Sequence, residues 1–240
     1  MNPLFRKSVL SVAVLASGAF TGSAIAAQAS ADPMTPSHPA QVQSVPASAD
    51  QPPPPPAPPP APAQAPPPAP PPEDGQRVLN YDYQRQPNEY YCAPAATRIA
   101  LSTQGKVVSQ REVADKLGTT QAGTDSVDAT TRVLNEMTAG GYETTEIQGA
   151  EADPQQEAKL RTDVVEAVDA NRGVVANIMG TSVDTEGNRY SYEGGHYLTI
   201  VGYRDGGDTM KVADPYDPTK TYWMTDDKLA DWIAARGYSS

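Results

Sequence analysis

The sequence predicts an α+β domain of two lobes, helical at its N-terminal end and built on an antiparallel sheet at its C-terminal end. Three observations predict it. A break in composition near residue 74 separates a foldable region from one that cannot fold. Between Cys92 and Gly173 the apolar residues recur with helical spacing, and capping residues stand at the expected places. From Val174 onward the segments shorten, become rich in β-branched and aromatic residues, and are joined by Gly- and Asp-rich turns.

Residues 1–29 read as a secretory signal. Arg6 and Lys7 precede the apolar run SVLSVAVLASGAF, and SAIAAQA offers small-residue cleavage positions after Ala26 or Ala29. The run is shorter than the roughly 20 residues that a membrane span requires, which favours cleavage over a retained anchor. No cysteine follows it to carry a lipid, and no second long apolar run occurs. The mature chain is therefore expected to have no membrane span and to lie outside the cytoplasmic membrane, secreted or associated with the cell envelope.

Residues 30–73 are mostly Pro, Ala, Gln and Ser, with the dense core QPPPPPAPPPAPAQAPPPAPPP. Proline removes backbone donors and fixes φ, so this linker is expected to be disordered and extended. At about 3.1 Å per residue the core reaches roughly 70 Å. A spacer that holds a domain away from a membrane, or carries it through a wall layer, is the expected role.

The remaining stretch, 74–240, is long enough for one domain with its own core. Both phenylalanines, Phe5 and Phe20, precede it, so its aromatic packing must come from tyrosine and tryptophan. The net charge of −11 argues against nucleic acid as a partner and against simple attraction to an anionic membrane.

The elements follow in order. Ala95, Ala96, Ile99, Ala100 and Thr103 share one helical face, Pro94 suits a first turn and Gly105 stops the helix, which places Cys92 at or just before its N-terminus. Ser109 and Glu112 have the spacing of a capping box for a second helix ending at Gly118. A third helix spans SVDATTRVLNEMTAGG, closed by Gly140 or Gly141, and a fourth starts from the cap Asp153 with Pro154 in its first turn. Strands are expected over 174–179, 196–204, 209–215 and 220–225, with a short helix in TDDKLADWIAA. A cleft between the two lobes is the expected place for a site.

Cys92 is the only cysteine, and His196 the only histidine outside the linker. A thiol reacts as thiolate, and a helix N-terminus favours that anion through its partial positive charge and free N–H groups. An imidazole on a facing strand takes the thiol proton and returns it to a leaving amine. Read singly, Cys92 is equally a small buried residue and His196 a solvated strand end; together they suit covalent catalysis.

A third group must orient the imidazole. Asp214 follows His196 across the turn RDGGD. A three-residue loop Asp205-Gly206-Gly207 sets Asp214 opposite Leu198, on the sheet face that carries His196, whereas a two-residue turn puts the two on opposite faces. Gln86, six residues before Cys92, offers an amide that with the Cys92 N–H would hold a developing oxyanion. Gln84 competes with it by type. Tyr90, Tyr91 and Tyr197 either line substrate subsites or fill the core. Gly194 and Gly195 either let substrate backbone approach His196 or make a plain turn.

The pattern Q-x5-C-x-P-A-A of Gln86 to Ala96, followed by GGHYLTIVGY and VADP, resembles the bacteriocin-processing, double-glycine-leader cysteine peptidases of family thirty-nine, and more closely their secreted, transporter-free relatives. The resemblance runs from about Val78 to Trp232. It implies the papain-like two-lobe fold, with Gln86, Cys92, His196 and Asp214 as oxyanion donor, nucleophile, base and orienting group. Many relatives have glycine directly after the cysteine, where this chain has Ala93, a change that narrows the adjoining subsite. The bacteriocin processors are fused to an exporter; this chain shows a signal instead, so their leader substrate does not carry over.

The expected function is an exported cysteine peptidase-like hydrolase of peptide or amide bonds, acting on a peptide or protein substrate. A thiol acyltransferase using the same acyl-enzyme, and a non-catalytic binding module on a proline-rich spacer, are the alternatives. One cysteine and one histidine do not make a metal site, and DTEGNRYSYE lacks a complete calcium loop, so no cofactor or metal is expected.

Overall fold

A computed structural model describes residues 75–216 and 221–240. The signal segment 1–29, the linker 30–73 and Lys220, at the start of the last expected strand, lie outside the described residues. The chain enters through a short strand, β1 (Arg77–Val78), and crosses an irregular stretch to α1 (Cys92–Thr103). Every residue of α1 from Cys92 to Leu101 is buried, not merely one face. The sheet, α2 (Gln110–Leu117) and α3 (Val127–Met137) wall it in. Arg98 therefore needs internal partners. Its guanidinium donates to the carbonyls of Val108 and Asp82 at 2.8 and 2.9 Å and to the Asp82 carboxylate at 2.6 Å, which fastens the entry segment to the helix.

The capping box expected at Ser109 is half formed. Ser109 Oγ accepts the Glu112 N–H at 3.1 Å, but the reciprocal bond is absent among the described residues, since Glu112 is exposed and stays hydrated. Helix α3 ends at Met137, short of the expected glycine stop. Thr138 is extended there, and both its N–H and its hydroxyl donate to the Leu134 carbonyl.

Strand β2 (Thr144–Glu146) precedes α4 (Pro154–Asp169), where Asp153 and Gln156 do form a complete capping box. Then come β3 (Val174–Val183), β4 (Arg189–Arg204), β5 (Thr209–Ala213), β6 (Thr221–Thr225), α5 (Asp226–Ile233) and β7 (Gly237–Ser239). All pair antiparallel in the order β2-β7-β3-β4-β5-β6, with β1 also on β4. Strands β1, β2 and β7 have two or three residues each, too few for a periodicity to be read.

Alternation along the strands divides the core. Val174, Ala176, Ile178, Leu198 and Ile200 pack with Leu160 and Val164 of α4 and with Leu229 and Ile233 of α5. Val175 and Tyr197 face the other way, against Cys92, Ala96 and Val133. The expected α+β architecture of a helical lobe on an antiparallel sheet is thus present, formed by α1–α3, while α4 and α5 cover the opposite face. Each fully buried Leu, Ile or Val contributes about 1.5–3 kcal/mol.

One glycine is fixed by space. Where β1 meets β4, a Cβ on Gly202 would lie 2.5 Å from the Arg77 carbonyl oxygen and 2.9 Å from the Val78 Cα.

Candidate active site

Cys92 opens α1, and the first turn carries no acidic residue to compete for the helix's positive end. Its thiol is placed where the His196 ring and the backbone N–H groups of Tyr197 and Ala93 can donate to the thiolate. Burial pushes the thiol up, but these bonds and the His196 charge outweigh it and hold the thiol below its ordinary value.

His196 stands inside the 16-residue β4, not at a strand head. The reason is a bulge. Ile178 pairs with His196 and Gly180 with Tyr192, so β4 uses two more residues than β3 over the same length. Gly194 and Gly195 belong to this bulge and form no turn between elements; Gly195 has φ +89°, a conformation that side chains resist.

Asp214 reaches the expected face by another route. Arg204 pairs with Thr209, so the connection has a 3₁₀ turn at Asp205–Gly207 plus Asp208 instead of a three-residue loop. A bulge at Val201, between the pairs Ile200–Val212 and Gly202–Lys211, offsets that extra residue. Thr199 then pairs with Ala213, and the register sets Asp214 level with Leu198.

The result is a buried pair, with His196 Nε2 2.8 Å from Asp214 Oδ1. Nδ1 is left for the thiol. Burial opposes the protonated imidazole, but the bonds to Asp214 and Cys92 and their charges push His196 up to about 9. The Asp214 carboxylate is fully satisfied. Oδ1 also accepts the Tyr216 N–H at 2.9 Å, while Oδ2 accepts the hydroxyls of Tyr192 at 2.8 Å and Tyr222 at 3.1 Å. Burial raises its pKa, and the bonds from His196, Tyr216 and Tyr192 overcome that and leave it low. Tyr83 donates to the Asp214 backbone carbonyl at 2.9 Å.

Gln86 is buried, and its backbone N–H donates to the Pro215 carbonyl at 2.9 Å, which ties it to the Asp214 loop. Its amide gives one hydrogen to the Asn88 carbonyl at 2.8 Å, and its Oε1 has no partner among the described residues. Gln84 is exposed and accepts from Gln110 on α2 at 2.9 Å.

A cleft of about 410 Å³ opens beside Cys92, lined among others by Tyr90, Gly194, Gly195 and Tyr197. Tyr91 is the α1 N-cap and meets Tyr90 edge-on at 5.6 Å; Tyr90 is the one on the cleft wall. The Tyr197 hydroxyl is buried without a partner among the described residues, and burial and the Cys92 charge push it well above the usual phenol value. A second cavity of about 370 Å³ continues the groove, sharing Asp125, Asn177 and Arg236 with the first. A third, of about 390 Å³, lies by Gln86, Glu89 and Tyr216.

Several of these residues escaped the sequence reading. Asn177 had a signal, being the single polar residue of the apolar run VVANIM. Tyr192 and Arg236 had none. Among the described residues no group of three or more His, Cys, Asp or Glu is placed to hold a metal ion, and no helix is long and apolar enough to cross a membrane.

A family model described as the Peptidase_C39 like family matches residues 78–240. Among solved structures, a protein described as a C39-like peptidase from Bacillus anthracis is 12% identical with a TM-score of 0.49, over 69% of this chain and 97% of that one. The peptidase domain of Streptococcus ComA, a bifunctional ABC transporter of a quorum-sensing pathway, is 16% identical with a TM-score of 0.42, over 67% and 96%. A double-glycine-motif protease from an AMS/PCAT transporter, solved with its leader peptide, is 12% identical with a TM-score of 0.42, over 68% and 91%. No match was found among curated proteins.

Proposed function

This chain belongs to the Peptidase_C39 like family, and on that premise we propose that it is an exported cysteine peptidase that cleaves peptide bonds through Cys92, His196 and Asp214. The observation that carries the reading is the buried His196–Asp214 pair beside the Cys92 thiol at a helix N-terminus.

The Cys92 thiolate attacks the carbonyl carbon of the scissile bond, and the oxygen takes up the negative charge. The free amide hydrogen of Gln86 and the Cys92 N–H would receive it. The bond to nitrogen then breaks as His196 Nδ1 delivers its proton to the leaving amine. Water attacks the thioester, giving its proton to the imidazole, and the acid product leaves with Cys92 restored as thiolate beside His196 in its protonated form. Asp214 keeps the imidazole in one tautomer and balances its charge. Export rests on the signal segment 1–29, and the linker 30–73 would space the domain from the cell envelope.

The test is a peptide library incubated with the full chain and with Cys92→Ala. Cleavage products with free carboxyl ends are expected for the wild type alone. Equal cleavage by both would end the proposal, and a labelled amine appearing in the products would redirect it to acyl transfer.

A further inference from the structure

Residues four apart on a straight strand lie about 13 Å from each other. Tyr192 and His196 are four apart on β4, yet their rings stack with centroids 4.1 Å apart and planes at 19°. The bulge around Gly194 and Gly195 brings the two rings together, because it takes up the chain length between the two residues. The hydroxyl of the same Tyr192 donates to Asp214 Oδ2 at 2.8 Å. One side chain therefore touches both members of the pair, the base through its ring face and the orienting carboxylate through its oxygen.

We propose that Tyr192 is the positioning residue of this site, fixing the plane of the His196 ring so that Nδ1 is presented to Cys92. This rests on the cysteine peptidase reading above.

A hydrogen bond to Asp214 fixes one point of the imidazole and leaves it free to swing about the Cβ–Cγ bond, whose torsional wells are broad. A stacked ring removes that freedom, since any swing breaks the contact. Its electron-rich face also favours the protonated imidazole over the neutral one. Tyr222 reaches the same carboxylate oxygen at 3.1 Å, but its ring stacks on Tyr190, so it cannot substitute. Tyr216 meets His196 only edge-on, with centroids 6.4 Å apart. Trp232 also lies near Tyr192, with ring centroids 5.9 Å apart and planes tilted by 31°.

Iodoacetamide alkylation of Cys92, measured against pH on the full chain, separates positioning from mere structural support. Tyr192→Phe keeps the stack and should keep the acid limb of the wild type. Tyr192→Leu should move that limb up by about one pH unit and slow alkylation about tenfold at pH values on its acid side. A role in folding alone would lower the melting temperature and leave the limb in place. A folded Tyr192→Leu with the wild-type limb therefore overturns the proposal. If that variant does not fold, Gly195→Ala decides, because it leaves both rings but strains the bulge; an unmoved limb there overturns the proposal equally. A wild type that alkylates only at alkaline pH would sink the peptidase reading, and the positioning role with it.

Discussion

Asp214 Oδ1 lies 2.8 Å from His196 Nε2, and every lone-pair direction of that carboxylate meets a donor. An Asn in its place keeps an acceptor for His196 and the Tyr216 N–H only by turning its NH₂ onto the Tyr192 and Tyr222 hydroxyls, which must then accept where they now donate. Asp214→Asn is expected to lower kcat/KM by on the order of 10²–10⁴-fold and to destabilise the fold by about 1–3 kcal/mol. The stability difference from wild type should be largest above the ordinary carboxylate value of 3.8 and shrink as pH falls, because the folded Asp214 value is lowered and its protonated form meets the same conflict. Calorimetry across pH checks this; a constant difference would refute it.

The pH profile of catalysis has a stated sign. The thiolate exists above the lowered Cys92 value, and the imidazolium exists below about 9. The reactive pair occupies the window between them, titrating as a coupled unit. Rates of alkylation and of peptide cleavage should both persist below the ordinary thiol range, and cleavage should fall on an alkaline limb near 9. His196→Ala should raise the Cys92 value and slow alkylation below that range. Retention of that rate in the variant would dissolve the ion pair.

The groove beside the thiol predicts a split between binding and chemistry. Asn177 is only 7% exposed and lines both cavities, yet its amide makes no hydrogen bond among the described residues. A substrate backbone is the natural partner for such a group. Asn177→Leu should raise KM by about 2- to 10-fold, the worth of one hydrogen bond, while the rate of Cys92 alkylation by a small reagent stays put. A fall in alkylation instead would assign Asn177 to the thiol's surroundings.

Gly202→Ala should be destabilising out of proportion to its size. Its Cβ would overlap the backbone of Arg77 and Val78, and backbone cannot rotate aside as a side-chain tip can. Overpacking of this kind costs about 1–3 kcal/mol, which at this chain length is a drop of about 2–12 °C in Tm. An unchanged melting curve would mean that β1 does not hold to β4 in solution.

The candidate residues were more legible in the sequence than the geometry that brings them together. Cys92, His196 and Asp214 announce themselves by rarity and by neighbours: a lone thiol before a helix, a lone imidazole in an apolar strand, an acid one hairpin away. The hairpin register was also legible, though only because two unforeseen irregularities cancel, the longer connection at Asp205–Asp208 and the bulge at Val201. Tyr192 was hidden for the opposite reason. Nothing in YEGGHY says that the strand bulges between tyrosine and histidine, because a bulge is set by pairing with β3 and not by local propensity. β7 was hidden by brevity, and its place between β2 and β3 depends on contacts with distant segments.

The imidazole and its carboxylate are separated by 18 residues and meet within one hairpin. The thiol helix is another matter: the bond from Thr199 to the Ala96 carbonyl, beside the site, spans 103 residues. Loop closure over that distance is slow compared with forming a hairpin or a helix. A chain emerging N-terminus first therefore carries its thiol long before it carries anything able to activate it. Until β4 pairs, Cys92 has neither His196 nor the Tyr197 backbone N–H beside it, and its thiol has only the reactivity of an ordinary exposed cysteine.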